Sequence, residues 1–393
     1  MSKTKKLDFV AGNQLSLLFT GEEYFPALIH AIDNAEEEVT LETYIFSNDL
    51  TANAIKDALC NAAKRGVHVR VVIDWIGGGA SHVKILKNEM TQAGVKCHIF
   101  NPWFRRGLAR THRKLALIDE NIAFVGGINI INDLVSDNGS GIQLAYPRWD
   151  FAVQITGALV PRIQKEMEAQ WKKLGHLELM ARLHLVLNLR LPKLTPPPQE
   201  EHTGLATFIV RDNIRNRNKI RRAYLLALGK AQHKVILANP YFAPGRNIRN
   251  ALISAANRGV DVTLILGVGA FKLQDAVAQS FYPKLLACGV KIIEYRKTEL
   301  HAKVAVIDDE WATVGSSNID GLSLFLNHEA NIVIKDVHFA QNLARYLEQG
   351  IADGDKVHQD AYQQKSWQKR VWYRFAYLAY RGLMRIATLG QYR

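Results

Sequence analysis

The chain has 393 residues, 48% hydrophobic and 22% charged, with a formal net charge of +13 and a pI near 9.5. That composition excludes a disordered chain and suits two compact domains better than one. The cationic excess calls for an anionic partner, nucleic acid or an anionic membrane surface, without choosing between them.

Nothing near the start reads as a signal peptide: basic residues at Lys3, Lys5 and Lys6 are not followed by an apolar core. No uncharged apolar run reaches the roughly 20 residues of a membrane span. Helical periodicity covers 23–35 and 52–64, and β-branched runs follow at 39–46 and 67–73. Between the second helix and its strand, Arg65-Gly66-Val67 reads as a helix C-cap glycine leading straight into the strand. Cys60, Cys97 and Cys288 are widely spaced and unpaired, so neither a disulfide framework nor a zinc site is expected.

A loop with Pro102, Trp103, Phe104, Arg105, Arg106 and Arg110 precedes the first chemically informative segment and would overhang it with cationic and aromatic groups. That segment is His112-Arg113-Lys114, with Asp119 five residues after the lysine, then Gly126-Gly127-Ile128-Asn129. Trp149-Asp150 opens the next alternating strand. Pro192 and Pro196-Pro197-Pro198 mark a stiff linker at 186–204. Residues 1–185 are then a first lobe, 205–355 a second and 356–393 a tail.

The second lobe rewrites the first. Ala62-Ala63-Lys64-Arg65-Gly66-Val67 returns as Ala255-Ala256-Asn257-Arg258-Gly259-Val260, and Tyr44-Ile45-Phe46 is echoed by Pro240-Tyr241-Phe242. The informative segment returns as His301-Ala302-Lys303, then Asp308, then Gly315-Ser316-Ser317-Asn318, with Glu329 opening the following strand. Alternating strands and helices in each half predict an α/β fold of two tandem lobes, each a helix-covered mixed sheet.

Strand parity orders these residues. Positions two apart share a face, so His112 projects with Lys114 and His301 with Lys303, while Leu115, Leu117, Val304 and Val306 face a core. Asp119 and Asp308 have the opposite parity, which suits a turn or a structural ion pair rather than substrate. A reversal after each aspartate would return Asn129 and Asn318 beside the histidines. Lysine and asparagine donors suit the non-bridging oxygens of a phosphodiester. A neutral imidazole can attack phosphorus while a protonated one feeds the leaving alkoxide. No metal or cofactor is required, since the lysines bring positive charge. Asp150 and Glu329 are assigned as carboxylates that orient the histidine of their own half, with exposed strand-start acids as the alternative.

The tail from Lys365 to Arg393 holds no acidic residue. Arg370, Arg374, Arg381 and Arg385 fall on one helical stripe. Trp367, Val371, Trp372, Phe375, Leu378, Leu383 and Ile386 fill the adjoining arc. That pattern fits a helix lying in a lipid interface; docking on the protein's own surface is the alternative.

The paired His-x-Lys-x4-Asp segments resemble those of the phospholipase D superfamily over nearly the whole chain. The Leu41-Glu42-Thr43-Tyr44-Ile45-Phe46 run, the Gly-Gly-Ile-Asn ending and the Leu-His-Ala-Lys-Val-Ala-Val-Ile-Asp-Asp segment resemble the bacterial cardiolipin synthases. The resemblance implies pseudo-twofold lobes with one active site at their interface, within one chain. It places His112, Lys114, Asp119, His301, Lys303 and Asp308 in the catalytic motifs and makes Asn129, Asn318 and Ser316 phosphate-binding. Gly127 departs from the pattern, standing where the second motif has Ser316. It also implies His112 as nucleophile and His301 as general acid, an order the near-symmetric motifs leave open. The implied reaction moves a phosphatidyl group between two phosphatidylglycerols and releases glycerol, with no nucleic acid involved. Arg105, Arg106 and Arg110 would meet headgroups, and Trp367, Arg370, Trp372 and Arg374 the membrane, peripherally at the cytoplasmic face of a bacterial inner membrane. A hydrolase of the same superfamily, lipase or nuclease, is the alternative.

Overall fold

A computed structural model describes residues 7–104, 108–137, 139–175, 204–212, 216–360 and 366–388. The expected linker lies outside the described residues except for Gly204, as do Arg105 and Arg106.

The first half contributes β1 (Val10–Phe19), β2 (Glu38–Thr43), β3 (His68–Asp74), β4 (Lys96–Phe100), β5 (Leu115–Ile118), β6 (Ile122–Gly126) and β7 (Phe151–Gly157). They lie side by side as β1-β7-β6-β5-β2-β3-β4. The second half contributes β8 (Gly204–Arg211), β9 (Lys234–Asn239), β10 (Asp261–Gly267), β11 (Lys291–Tyr295), β12 (Val304–Ile307), β13 (Trp311–Gly315) and β14 (Glu329–Lys335). Their order, β8-β14-β13-β12-β9-β10-β11, is the same one position by position. The equivalent strands β1 and β8 pair antiparallel, Val10 opposite Ala206 and Asn13 opposite Gly204. Antiparallel pairing of equivalents is what a pseudo-twofold axis demands, and it fuses the two mixed sheets into one.

Local sequence explains the helices. In the helix Leu50–Lys64, Asp49 caps the start by accepting from the Ala52 N–H at 2.9 Å. Ala52, Ile55, Leu59 and Ala62 recur at helical spacing and are buried against the sheet. Gly66 and its repeat Gly259 follow their helices at φ +99° and +89°, the left-handed turn that glycine takes without strain.

One hydrophobic cluster fills the outer side of each lobe, and a third belongs to both. In that shared cluster Leu115, Leu117 and Val125 meet Val304, Val306 and Val314. The alternating positions opposite the His–Lys pairs therefore clamp the lobes together, which fixes the two motifs relative to each other.

Candidate active site

The segments carrying the histidines run past the ends of β5 and β12 and cross to the other lobe. Thr111 forms a parallel bridge with His328, and Trp149 with Leu300. The His112 N–H donates to the His328 carbonyl at 2.8 Å, and the His301 N–H to the Trp149 carbonyl at 3.0 Å. Glu329 follows His328 and Asp150 follows Trp149, so each acid arrives at the histidine of the opposite lobe. His112 Nδ1 lies 3.1 Å from Glu329, and His301 Nδ1 lies 2.6 Å from Asp150. The expectation that each acid orients its own half's histidine is therefore corrected. Matching repeat positions identify which strand an acid opens, but the lobe bridges decide which histidine that strand end meets.

The two imidazoles differ in what surrounds them. His112 Nδ1 also faces the Ser316 carbonyl oxygen at 2.9 Å. A carbonyl only accepts, so Nδ1 carries the proton and Nε2 presents a lone pair. Burial holds this imidazole below its ordinary pKa, against the pull of Glu329. His301 has Asp150 at Nδ1, and Asp137 Oδ2 stands 3.5 Å from Nε2. With a carboxylate at each nitrogen, the imidazolium form is satisfied at both ends. Burial, then Lys303, still drives its pKa well down, with Asp137 opposing.

Both motif lysines are buried beneath the histidines. Lys114 Nζ donates to the His112 carbonyl at 2.8 Å, and Lys303 Nζ to the His301 carbonyl. Lys303 Nζ also sits 2.8 Å from His301 Nδ1, so lysine and Asp150 compete for that nitrogen. Burial, then repulsion from Lys303, lowers Lys114 to about 7; burial lowers Lys303 to about 8. Lys114 feels the Lys303 charge, and both lysines feel Asp137, Asp150 and Glu329, so the two motifs face one cleft.

Asn129 Oδ1 accepts from the Ile45 N–H at 3.3 Å, leaving its amide N–H groups unassigned among the described residues. Asn318 is buried with its Oδ1 unpartnered. The Ser316 hydroxyl, expected to bind phosphate, is engaged within the protein: it donates to Glu329 and accepts from the Ala330 N–H at 3.0 Å. Gly127 at the equivalent position has a steric cause, because a Cβ there would come within 2.3 Å of Asp150 Oδ1. The shorter acid needs the space that the longer acid's serine occupies.

Asp119 and Asp308, placed in the catalytic motifs by resemblance, stand away from the histidines. Asp119 accepts from the N–H groups of Glu36, Glu37 and Glu38 at 2.8–2.9 Å, and Asp308 from those of Gln232, His233 and Lys234. Each occupies a left-handed hairpin position, at φ 47° and 53°. Partial burial raises these carboxyls, but the three N–H donors outweigh it and hold both below the ordinary value. They staple the hairpin to the neighbouring helix–strand loop, as parity suggested.

Sequence reasoning missed Asp137, Glu299 and Arg148. Glu299 accepts from the Ser136 hydroxyl at 2.6 Å and shares a hydrogen bond with Asp137. Arg148 reaches Asp133 at 3.2 Å and Glu299 at 3.4 Å. The available signal was length. Asp150 follows His112 by 38 residues, whereas Glu329 follows His301 by only 28. The excess is a first-lobe loop that folds over the second lobe's histidine.

Of the loop residues expected to meet headgroups, Arg110 is described: it is half-buried and donates to the Tyr44 hydroxyl at 3.2 Å. Tyr44 in turn packs edge-on against His112, ring centroids 4.8 Å apart. The C-terminal helix, Trp367–Ala387, lies on the second lobe through Ala376 and Met384, with Tyr380 accepting from the Gly321 N–H at 2.7 Å. Its other side is outward: Trp367 is 67% exposed and Phe375 61%, and Trp372, Arg370 and Arg374 are exposed as well. Docking and an outward apolar face thus coexist on one helix. Among the described residues no helix is long and apolar enough to cross a membrane.

The family described as "Cardiolipin synthase, PLD-like domain" matches residues 28–154 and again 224–351. Cardiolipin synthase B of Shigella flexneri is 37% identical over 371 residues, spanning 92% of this chain and 86% of that protein. Cardiolipin synthase A of Pectobacterium atrosepticum is 28% identical over 384 residues, 94% of this chain and 75% of that one. The crystal structure of phosphatidylserine synthase from Haemophilus influenzae Rd KW20 superposes with TM-score 0.71 at 14% identity, covering 98% and 97% of the two chains. At that identity the likeness speaks for the fold alone.

Proposed function

Because the chain belongs to the cardiolipin synthase family of PLD-like proteins, we propose that it joins two phosphatidylglycerol molecules into cardiolipin and glycerol through a phosphohistidine. The observation carrying this reading is the pair of unlike imidazoles facing one cleft, each above the lysine of its own motif. His112 Nε2, its lone pair exposed by the tautomer that Ser316 and Glu329 enforce, attacks the donor phosphorus. The bond from phosphorus to the glycerol headgroup breaks, and His301 gives its Nε2 proton to the departing alkoxide. An acceptor hydroxyl then attacks the phosphohistidine, the phosphorus–nitrogen bond breaks, and His301 takes the acceptor's proton.

A phosphodiester anion between Lys114 and Lys303 favours the charged forms of both lysines and of His301, all of which burial pushes toward neutrality. Asn129 and Asn318 amides add donors to the non-bridging oxygens. Incubation with phosphatidylglycerol vesicles and mass spectrometry of products tests the reading. Cardiolipin and glycerol in equal amounts are expected; phosphatidic acid as the sole lipid product would instead mean a hydrolase.

The same reading places the protein peripherally on an anionic bilayer at the cytoplasmic face, as one chain with one site. The exposed tryptophan, phenylalanine and leucine arc of the C-terminal helix, flanked by its arginine stripe, supports this. Trp372→Glu with Phe375→Glu, both on the outward face, should reduce co-sedimentation with anionic vesicles at least tenfold. Undiminished sedimentation would discard that surface.

A further inference from the structure

The helix Val160–Leu174 buries Val160, Ile163, Met167 and Gln170 along one side, so a glutamine ends an otherwise apolar stripe. Burying an amide costs free energy unless its hydrogen bonds are met, and Gln170 meets them at the crossing between the lobes. Its Nε2 donates to the Thr111 hydroxyl and to Glu42 Oε2, each at 3.0 Å. Its Oε1, which can only accept, takes the His328 Nδ1–H at 3.1 Å. Thr111 precedes His112 in the chain, and His328 precedes Glu329. We propose that Gln170 is a positioning residue, a clamp on the two residues that precede His112 and Glu329, and that it sets the spacing of that pair. The proposal rests on the phosphohistidine reading and concerns a side chain that touches no reacting atom.

Three observations carry it. First, Thr111 and Arg113 flank His112, and one carboxylate serves both sides. Arg113 Nη1 stands 3.9 Å from the same Glu42 oxygen that accepts from Gln170. The histidine's segment is thus held before and after the imidazole by one buried group of side chains. Second, Glu329 belongs to the other lobe, so its distance from His112 follows the crossing. The backbone fastens that crossing through the His112 N–H on the His328 carbonyl at 2.8 Å and the His328 N–H on the Arg110 carbonyl at 2.7 Å. Gln170 adds a side-chain tie from a first-lobe helix to the same two strand ends. Third, the symmetry-related crossing is built of apolar side chains. There Trp149 and Leu300 stand where His328 and Thr111 do, and both belong to the shared hydrophobic cluster. Trp149 stacks on Tyr295, ring centroids 5.4 Å apart. In the equivalent helix, Val337–Asp353, a Cβ on Gly350 would come within 3.1 Å of that indole. The crossing at His301 is packed, whereas the crossing at His112 is hydrogen-bonded, which fixes direction as well as distance.

The test is a double-mutant cycle on the full chain, using a p-nitrophenyl phosphatidyl ester with protein in excess and p-nitrophenol release read per folded chain. Gln170→Met, similar in length but without the amide, should slow release about 10- to 100-fold, the scale of loss for a reacting group held out of place. The KM for the ester should stay unchanged. Beside Glu329→Gln the same substitution should cost less than about threefold, because the pair it sets is already broken; beside Asp150→Asn it should keep its full cost. A general loss of stability would not distinguish these backgrounds. If Gln170→Met folds poorly, Thr111→Val removes one acceptor while keeping the branched shape. It should slow release about three- to tenfold, the worth of one hydrogen bond, with no further loss beside Glu329→Gln. Equal losses in all three backgrounds, or no loss in the otherwise unaltered protein, would overturn the clamp. Trapping the covalent lipid adduct separates the two ideas. No histidine adduct in the unaltered protein overturns the phosphohistidine reading, while an adduct accompanied by equal losses overturns only the clamp.

Discussion

The two lobes share one strand order and one motif, yet their histidines sit in different chemistry. In the first lobe, His112 is pinned by a carbonyl and by Glu329, with Ser316 holding that glutamate in place. In the second, His301 lies between Asp150 and Asp137, under a loop that has no counterpart across the pseudo-axis. Duplication supplies two equivalent imidazoles; the departures from symmetry divide the work between them. In the proposed reaction the first offers its lone pair to phosphorus and the second exchanges the proton.

The largest expected effects come from breaking the crossed pairing. Glu329→Gln removes the negative charge beside His112 Nδ1–H, and Asp150→Asn does the same beside His301 Nδ1. Each should lower kcat about 10²- to 10⁴-fold, the range seen when a histidine loses its orienting carboxylate. The half-reactions should differ, which pre-steady-state release of glycerol can read. Glu329→Gln should suppress adduct formation even with a good leaving group, whereas a good leaving group should largely rescue Asp150→Asn. Equal rescue of both would erase the distinction drawn between the lobes.

Next in size is Gly127→Ser, which makes the first motif match the second in sequence. The new Cβ falls on the Asp150 carboxylate, which must move off His301. A displacement of this order costs about 10²-fold in rate. Activity within twofold of the unaltered protein would show that the acid has room the structure does not give it.

The smallest effect on catalysis, and a clear one on stability, belongs to the motif aspartates. Asp119→Ala or Asp308→Ala removes three N–H acceptors at a left-handed turn and should destabilise by about 1–2 kcal/mol in chemical denaturation. Their folded pKa values lie below the unfolded value of about 3.9, so this stabilisation is present above that pH. It is lost as pH falls through the lowered folded value. A loss of turnover without loss of stability would return these residues to the active site.

Much of this was legible in the chain. Duplication, β-branched runs and glycine caps gave the lobes and their strands, and the parity of Asp119 against His112 already removed the aspartates from the cleft. The crossed carboxylates were not legible, because spacing within a repeat carries no information about which strand end abuts which across an interface. In the sequence Gly127 was only a departure from the second motif's Ser316; the packed Asp150 carboxylate shows it as room for a shorter acid. Asp137 lies in a loop without periodicity, where patterning is silent and only the unequal spacing from histidine to acid hinted at a specialised lobe.

The division of labour is tested most directly by identifying the residue that carries the lipid phosphate. Unaltered protein mixed with phosphatidylglycerol labelled in the phosphate between its glycerols, quenched within milliseconds at alkaline pH and digested, should yield one labelled peptide with the adduct on His112. Label on His301 would contradict the account, whatever the overall rate of cardiolipin formation.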